Sequence, residues 1–255
     1  MKKQIDIIFL KTHDFFKNKK IKSINLFKNQ GLCNTNYLVK TEKKAYVLRV
    51  FHSNRSVNIN REFEYQAQKK AHNQNISAKP YYFDKKNSLL ISKYIKGEHK
   101  DRLNNTQLKV LIKKVKKIHK IKLKSKKYDF SKDLKYYKKV LKDKNSLKLL
   151  FKLKKEIKKS KKYKNNYALC HHDLNCKNII FSKKDVFIID WEYAGINDIF
   201  FDLATICIEF KLNTRKTRVL LNTYFNKVRK KDLQKLETYK KIYFYICRLW
   251  FNANL

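Results

Sequence analysis

The segment His171-His172-Asp173-Leu174-Asn175-Cys176-Lys177-Asn178, followed twelve residues later by Asp190 within Ile188-Ile189-Asp190-Trp191-Glu192-Tyr193, constrains this chain more than any other. It reads H-x-D-x-x-x-x-N, then a short apolar strand, then a second Asp. Such spacing lets a loop present one carboxylate to a substrate hydroxyl. An amide oxygen and a second carboxylate are then free to hold Mg²⁺ against nucleotide phosphates. The pattern points to phosphoryl transfer.

Within that reading Asp173 is the catalytic base, orienting the attacking hydroxyl and accepting its proton. The transition state of phosphoryl transfer is loose, so position and charge matter more than basicity. Asn178 and Asp190 are the metal ligands, because hard oxygens suit Mg²⁺. His171 is expected to hold the loop backbone, whereas His172 faces elsewhere and has no role. A phosphate loop is expected at Gln30-Gly31-Leu32-Cys33-Asn34-Thr35-Asn36-Tyr37, between two strands, with Asn34 and Thr35 as donors to phosphate. Arg49, on the third strand, stands where such phosphotransferases carry the cation for the α- and β-phosphates, and its fork can bind phosphate and a carboxylate together. Glu64 on the following helix is the expected carboxylate partner, with Glu62 as the alternative.

Charge suggests another class of function. Of 255 residues, 63 are Lys or Arg and 21 are Asp or Glu, a formal net charge of +42. Such an excess draws polyanions and anionic surfaces. Only eight of the basic residues are Arg, so the planar forks that read phosphates and bases are scarce. The lysines are spread widely and read as a solvated surface, with no specific nucleic-acid partner. No run of 18 apolar residues and no secretory signal is visible, so neither membrane insertion nor export is expected. Cys33, Cys170, Cys176, Cys207 and Cys247 make no C-x-x-C pair and are expected to be free thiols in a reducing cytoplasm.

Patterning divides the chain near residue 97 into lobes 1–96 and 97–255. Strands are expected at 22–28, 36–40 and 45–51, with a turn at 42–44, then a helix at 58–73 and strands at 81–83 and 89–94. Beyond the boundary, Thr106 is expected to cap a helix bearing Leu108, Leu111, Ile112, Val115 and Ile118. Lys-rich helices over 131–160 should turn Leu147, Leu150, Phe151 and Leu153 inward. Short strands at 179–181 and 186–189 and helices at 199–212, 215–229 and 232–252 complete the reading.

Taken together, these motifs resemble the choline/ethanolamine kinase family, within the wider aminoglycoside-phosphotransferase and protein-kinase-like superfamily. The resemblance is carried by Gly31 to Val39, Tyr46-Val47-Leu48-Arg49-Val50, Ile59-Asn60-Arg61-Glu62-x-Glu64 and Ile91-Ser92-x-Tyr94-Ile95-x-Gly97. It continues through His171-x-Asp173-x-x-x-x-Asn178, Ile189 to Gly195, Asn197-Asp198 and Phe201-Asp202-Leu203-Ala204. It covers roughly residues 25–210 and implies an α+β, bilobal protein-kinase-like fold. The N-terminal lobe would be a small antiparallel sheet plus one helix and would bind nucleotide. The C-terminal lobe would be mostly helical, with catalytic and substrate residues.

The resemblance further implies ATP and Mg²⁺, with adenine against Ser92, Tyr94 and Ile95. The acceptor would be a small cationic alcohol, choline before ethanolamine, another amino alcohol or an aminoglycoside. A quaternary ammonium donates no hydrogen bonds and is held by aromatic faces and carboxylates. Candidates beside Asp173 are Tyr193 and Trp250, with Glu192 and Glu209 as counter-charges, while Trp191 belongs to the core. The sequence departs from that family's pattern by ending five residues past Trp250, short of another aromatic segment, which leaves the completeness of the cation box open. The reading of a different class is a non-catalytic basic binding module on a kinase-like scaffold. Oligomeric state is not legible.

Overall fold

The computed structural model describes residues 5–28, 34–52, 59–183 and 185–254. The chain folds as two units, Met1–Lys96 and Gly97–Leu255. The class is α+β, with the sheet in the first unit and most helices in the second.

β-Branched and aromatic residues build the first unit. Strands β1 (Ile21–Leu26), β2 (Asn34–Thr41), β3 (Ala45–Phe51), β4 (Pro80–Asp84) and β5 (Leu89–Lys93) form one sheet in the order β1-β2-β3-β5-β4. Every pairing in it is antiparallel. Thr41 closes the β2–β3 turn, its N–H donating to the Lys44 carbonyl at 2.9 Å and its hydroxyl accepting from the Lys44 N–H at 3.1 Å. Alternation along β3 buries Tyr46, Leu48 and Val50 in a cluster with Leu10 and Phe16. The same alternation turns Arg49 to the opposite face, where helix α2 (Arg61–Asn73) supplies Glu64.

One more helix stands here than patterning predicts. α1 (Ile7–Thr12) is capped by the Asp6 carboxylate, which accepts from the Phe9 N–H at 2.8 Å. Six residues are too few to hold a helix alone; packing of Leu10 and the Phe15–Phe16 aromatic cluster against Tyr46 holds it.

In the second unit α3 (Asn105–Ile118) buries the five residues expected, but Asn104 caps it, not Thr106. The Asn104 side chain accepts from the Gln107 N–H, and the Gln107 side chain accepts from the Asn104 N–H. That reciprocal pair satisfies two orphan donors and displaces Thr106 into the first turn. α4 (Phe130–Val140) and α5 (Lys144–Ser160) follow. The inward face of α5 also differs from expectation. Ser146, Leu153 and Ser160 form its buried line at seven-residue spacing, whereas Leu147 and Phe151 are 43% and 70% exposed. The four apolar residues span too wide an arc for one contact stripe, and small serines let α8 (Lys230–Asn254) approach. Asn252 reaches Ser146 and Lys241 lies 3.8 Å from Glu156, so α5 and α8 run antiparallel.

Between α5 and α6 (Phe200–Glu209) the chain makes two nested ladders. β6 (Tyr167–Cys170) pairs with β9 (Gly195–Asp198), and inside them β7 (Ile179–Phe181) pairs with β8 (Val186–Ile188). β6 and β9, of four residues each, went unpredicted; runs so short carry no readable period. α7 (Thr214–Phe225) completes the unit.

Gly97 lies against the inner ladder, where Glu98 bridges to Phe181. A Cβ there would sit 2.5 Å from Ile180 Cγ2 and 2.6 Å from the Phe181 carbonyl oxygen. Gly97→Ala is therefore expected to destabilise the protein by about 1–3 kcal/mol, because the carbonyl cannot yield as a side-chain tip can. A melting temperature within 1 °C of wild type in differential scanning fluorimetry would refute this. Cys170, Cys176, Cys207 and Cys247 are free thiols, and no described helix is long and apolar enough to cross a membrane.

Candidate active site

The nested ladders bring the key segments together. Cys170 opposite Gly195 and Ile179 opposite Ile188 fix both ends of two loops, 171–178 and 189–194. The two loops are neighbours because their flanking strands pair. Asp173 sits in the first and Asp190 in the second. His172 and Asp190 hold φ of 68° and 66°, the left-handed region that non-glycine residues enter only when surroundings compel it.

Asp202, fully buried on α6, compels it at His172. Its two carboxylate oxygens each accept a backbone N–H at 2.9 Å, one from His171 and one from His172. His119 Nε2 lies 3.1 Å from the same carboxylate, and its Nδ1 lies 2.7 Å from the Tyr224 hydroxyl. Burial alone would raise the Asp202 carboxyl, but hydrogen bonds from His119 and the loop N–H hold it below the usual carboxylate range. Patterning assigned Asp202 no task beyond a motif position.

The histidines join the loops. His171 Nε2–H donates to the Ile189 carbonyl at 3.0 Å, and its Nδ1 accepts from the Asp173 N–H at 3.3 Å. Its ring meets buried Trp191 edge-on at 4.8 Å. Burial lowers the pKa of both His171 and His172, which suits neutral rings with one donor each. The expectation that His172 has no role is corrected. It is buried, and its Nδ1–H donates to the Tyr193 carbonyl at 2.7 Å, so it ties loop to loop.

Asp173 is then set among polar groups. Asn178 Nδ2 donates to Asp173 Oδ2 at 2.7 Å and to the Asp173 carbonyl at 2.9 Å, leaving the amide oxygen as the atom for a cation. Asn175 Nδ2 donates to Asp173 Oδ1 at 2.8 Å, a contact that spacing did not disclose. Burial first, then the Asp190 charge, push the Asp173 carboxyl up to about 7, with Glu192 and Glu209 adding to it and Asn175 opposing. Four carboxylates thus share one neighbourhood.

Of the acceptor candidates, Glu192 and Glu209 reach Asp173 electrostatically. Glu209 Oε1 accepts from the Tyr243 hydroxyl at 2.8 Å, an aromatic residue that patterning missed because it lies 34 positions away on α8. Tyr193 is half-buried and touches this network through its carbonyl. Trp250 shares the α8 face of Tyr243 and Cys247 but stands roughly 10 Å further along the helix than Tyr243.

The first unit carries its own cluster. Arg49 Nη1 donates to Glu64 Oε1 at 3.1 Å, and Arg49 Nε to Asn36 Oδ1 at 3.3 Å across the β2–β3 pair. Arg61, whose guanidinium lies 4.1 Å over the Phe51 ring, donates to the other Glu64 oxygen at 2.8 Å. Glu64 is 1% exposed, while Glu62 is exposed and pairs with Lys85. Asn34 and Thr35 are corrected from loop to strand: they open β2, paired with Phe51 and Val50. Asn34 accepts from Arg61, and Thr35 bonds His52. Pairing with β3 reaches further than local composition suggested, and residues 30–33 of the expected loop lie outside the described residues. The Ser92 hydroxyl accepts from Gln68 at 3.0 Å inside the unit, and the Tyr94 N–H donates to the Ala45 carbonyl at 3.1 Å.

The profile of the phosphotransferase enzyme family (APH) matches residues 28–237. Protein LicA of Haemophilus influenzae is 44% identical over 61 residues, 24% of this chain and 23% of that protein. The match therefore spans less than a quarter of that relative's length. The choline kinase LicA from Streptococcus pneumoniae superposes with a TM-score of 0.79 at 23% identity, over 91% of this chain and 85% of the other. A choline/ethanolamine kinase family protein from Mesorhizobium loti gives 0.76 at 20% identity, over 94% and 82%. At these identities the structural likeness speaks to the fold. The family match covers most of the sequence, and on it the chain belongs to the phosphotransferase enzyme family, on a fold similar to that of choline kinases.

Proposed function

We propose that this protein transfers the γ-phosphoryl group of ATP to the hydroxyl of a small cationic alcohol, choline foremost, in the cytoplasm. The observation that carries the acceptor class is the gathering of Asp190, Glu192 and Glu209 around Asp173, whose carboxyl is pushed up to about 7 by burial first and by these charges after it. Such a neighbourhood repels anionic acceptors and gains from a cation. Asn178 Oδ1 and Asp190 are hard oxygen donors beside these carboxylates, which fits Mg²⁺. When bound, the ion neutralises charge on the phosphates.

The chain's own groups do the rest. Asp173, held by Asn175 and Asn178, orients the acceptor hydroxyl and takes its proton. Arg49, fixed by Glu64, meets the α- and β-phosphates, and Tyr94 and Ile95 meet adenine. Glu192 and Glu209 face the acceptor's positive charge, and Tyr193 and Trp250 offer aromatic faces worth roughly 0.5–2 kcal/mol each. The likeness to the choline kinase from Streptococcus pneumoniae and to the choline/ethanolamine kinase family protein from Mesorhizobium loti supports choline over an aminoglycoside.

An ATP-coupled assay across choline, ethanolamine, longer amino alcohols and aminoglycosides tests this. Choline should lead ethanolamine by about tenfold in kcat/KM, since methyl groups gain from aromatic contact, and EDTA should abolish turnover. Preference for a primary amine would move the assignment to the ethanolamine or aminoglycoside class. Turnover of no alcohol, with salt-sensitive nucleic-acid binding, would replace it with a basic binding module.

A further inference from the structure

Glu209 is the last residue of α6, where the negative end of the helix dipole disfavours a carboxylate. Left to itself, that side chain would turn to water. It instead accepts from the hydroxyl of Tyr243, which is 5% exposed and held edge-on against Phe201 at 5.8 Å. Burial, then Cys247, Glu209 and Asp173, raise the Tyr243 phenol far above its ordinary range, so it stays a donor at every working pH. Cys247, one turn along α8, hydrogen-bonds the Tyr243 side chain. Its thiol is pushed up to about 12, chiefly by burial, and adds no charge.

We infer that Tyr243 is a positioning residue: its hydroxyl holds Glu209 against the helix dipole, so that this carboxylate faces the acceptor beside Asp173 and sets the preference for cationic over neutral alcohols. This rests on the cationic-acceptor reading above. A purely structural tyrosine would affect every substrate alike. A tyrosine that aims one carboxylate affects only the charge-dependent part of acceptor binding.

The test compares wild type, Tyr243→Phe, Glu209→Gln and the double variant, with choline and its uncharged isostere 3,3-dimethylbutan-1-ol as acceptors. Tyr243→Phe should raise the KM for choline about tenfold, with a much smaller change in kcat. The KM values for ATP and for the isostere should stay within about twofold. Glu209→Gln should give the same pattern, and the double variant little further loss, since both remove one interaction. Equal losses for choline and the isostere, or additive effects, would overturn the inference while leaving the proposed function intact. If wild type phosphorylates no amino alcohol, the proposed function falls by itself. Calorimetric titration with tetramethylammonium chloride then decides for Tyr243. Binding about tenfold weaker in Tyr243→Phe upholds its role, and equal or undetectable binding in both proteins overturns it. Glu209→Gln in the same titration covers the case of a Tyr243 variant that does not fold.

Discussion

Asp173→Asn should reduce phosphoryl transfer by at least about 10³-fold, combining the loss of the base with a misdirected acceptor, and should also change how stability depends on pH. In the unfolded chain the carboxyl titrates near 3.8, whereas in the fold burial and the neighbouring charges of Asp190, Glu192 and Glu209 raise it to about 7. The folded protein therefore holds this proton more tightly. Ionised Asp173 costs nothing below pH 4, costs progressively more as pH rises, and costs its full amount above pH 7. Asparagine removes the charge but forfeits one of the two amide hydrogen bonds from Asn175 and Asn178, about 1 kcal/mol.

The stability of the variant relative to wild type should consequently climb by on the order of 2 kcal/mol between pH 4.5 and 8, after allowance for solvent screening. In melting temperature that is roughly 4–8 °C. Calorimetry of nucleotide-free protein in EDTA reads it directly. A difference that is flat or falls with pH would mean that neither burial nor the neighbouring carboxylates raise Asp173. Asp202 has the opposite sign. Its pKa is held below 3.8, so its contribution is lost only as pH falls beneath that value, outside the window used.

Asp202→Ala should be the most disruptive single change in the second unit. Two backbone N–H groups, of His171 and His172, would lose buried acceptors, and His119 would lose its partner. Each stranded donor costs about 1–3 kcal/mol, so a total of roughly 3–5 kcal/mol is expected, a fall of about 10 °C or more. The left-handed backbone at His172 would relax, and with it the position of Asp173. Transfer activity should fall by at least about 10²-fold even where the protein still folds, because misplacing a reacting group by an ångström has that effect. Amide exchange of His171 and His172 provides the check. Protection at wild-type levels in the variant would show that something other than Asp202 holds the loop. Asp202→Asn, which keeps one acceptor, should lie between.

Local order explains what was readable. α3 declared its buried face through Leu108, Leu111, Ile112, Val115 and Ile118, because helical periodicity is written in neighbouring residues. The Arg49–Glu64 pair was readable because a strand followed by a helix returns the two to each other within fifteen positions. Arg61 as the second partner of Glu64 was not, since a helix-start arginine looks like any exposed one until it is seen over Phe51. α5 misled for the converse reason. Leu147 and Phe151 are apolar, but which arc of a helix is buried depends on where its neighbour lies, and α8 chose the serine line.

The order of residues along the chain is enough to set out the chemistry on offer: a loop with Asp173 and Asn178, a second with Asp190, and a basic strand residue next to a helix carboxylate. These follow from residue type and short spacing. How that chemistry is held depends on packing between distant segments. Asp202 clamps the loop from 30 positions away, His172 crosses to Tyr193, and Tyr243 aims Glu209 across two helices. Contacts of that range leave no period in the chain. They arise because buried donors and acceptors must find partners wherever packing places them.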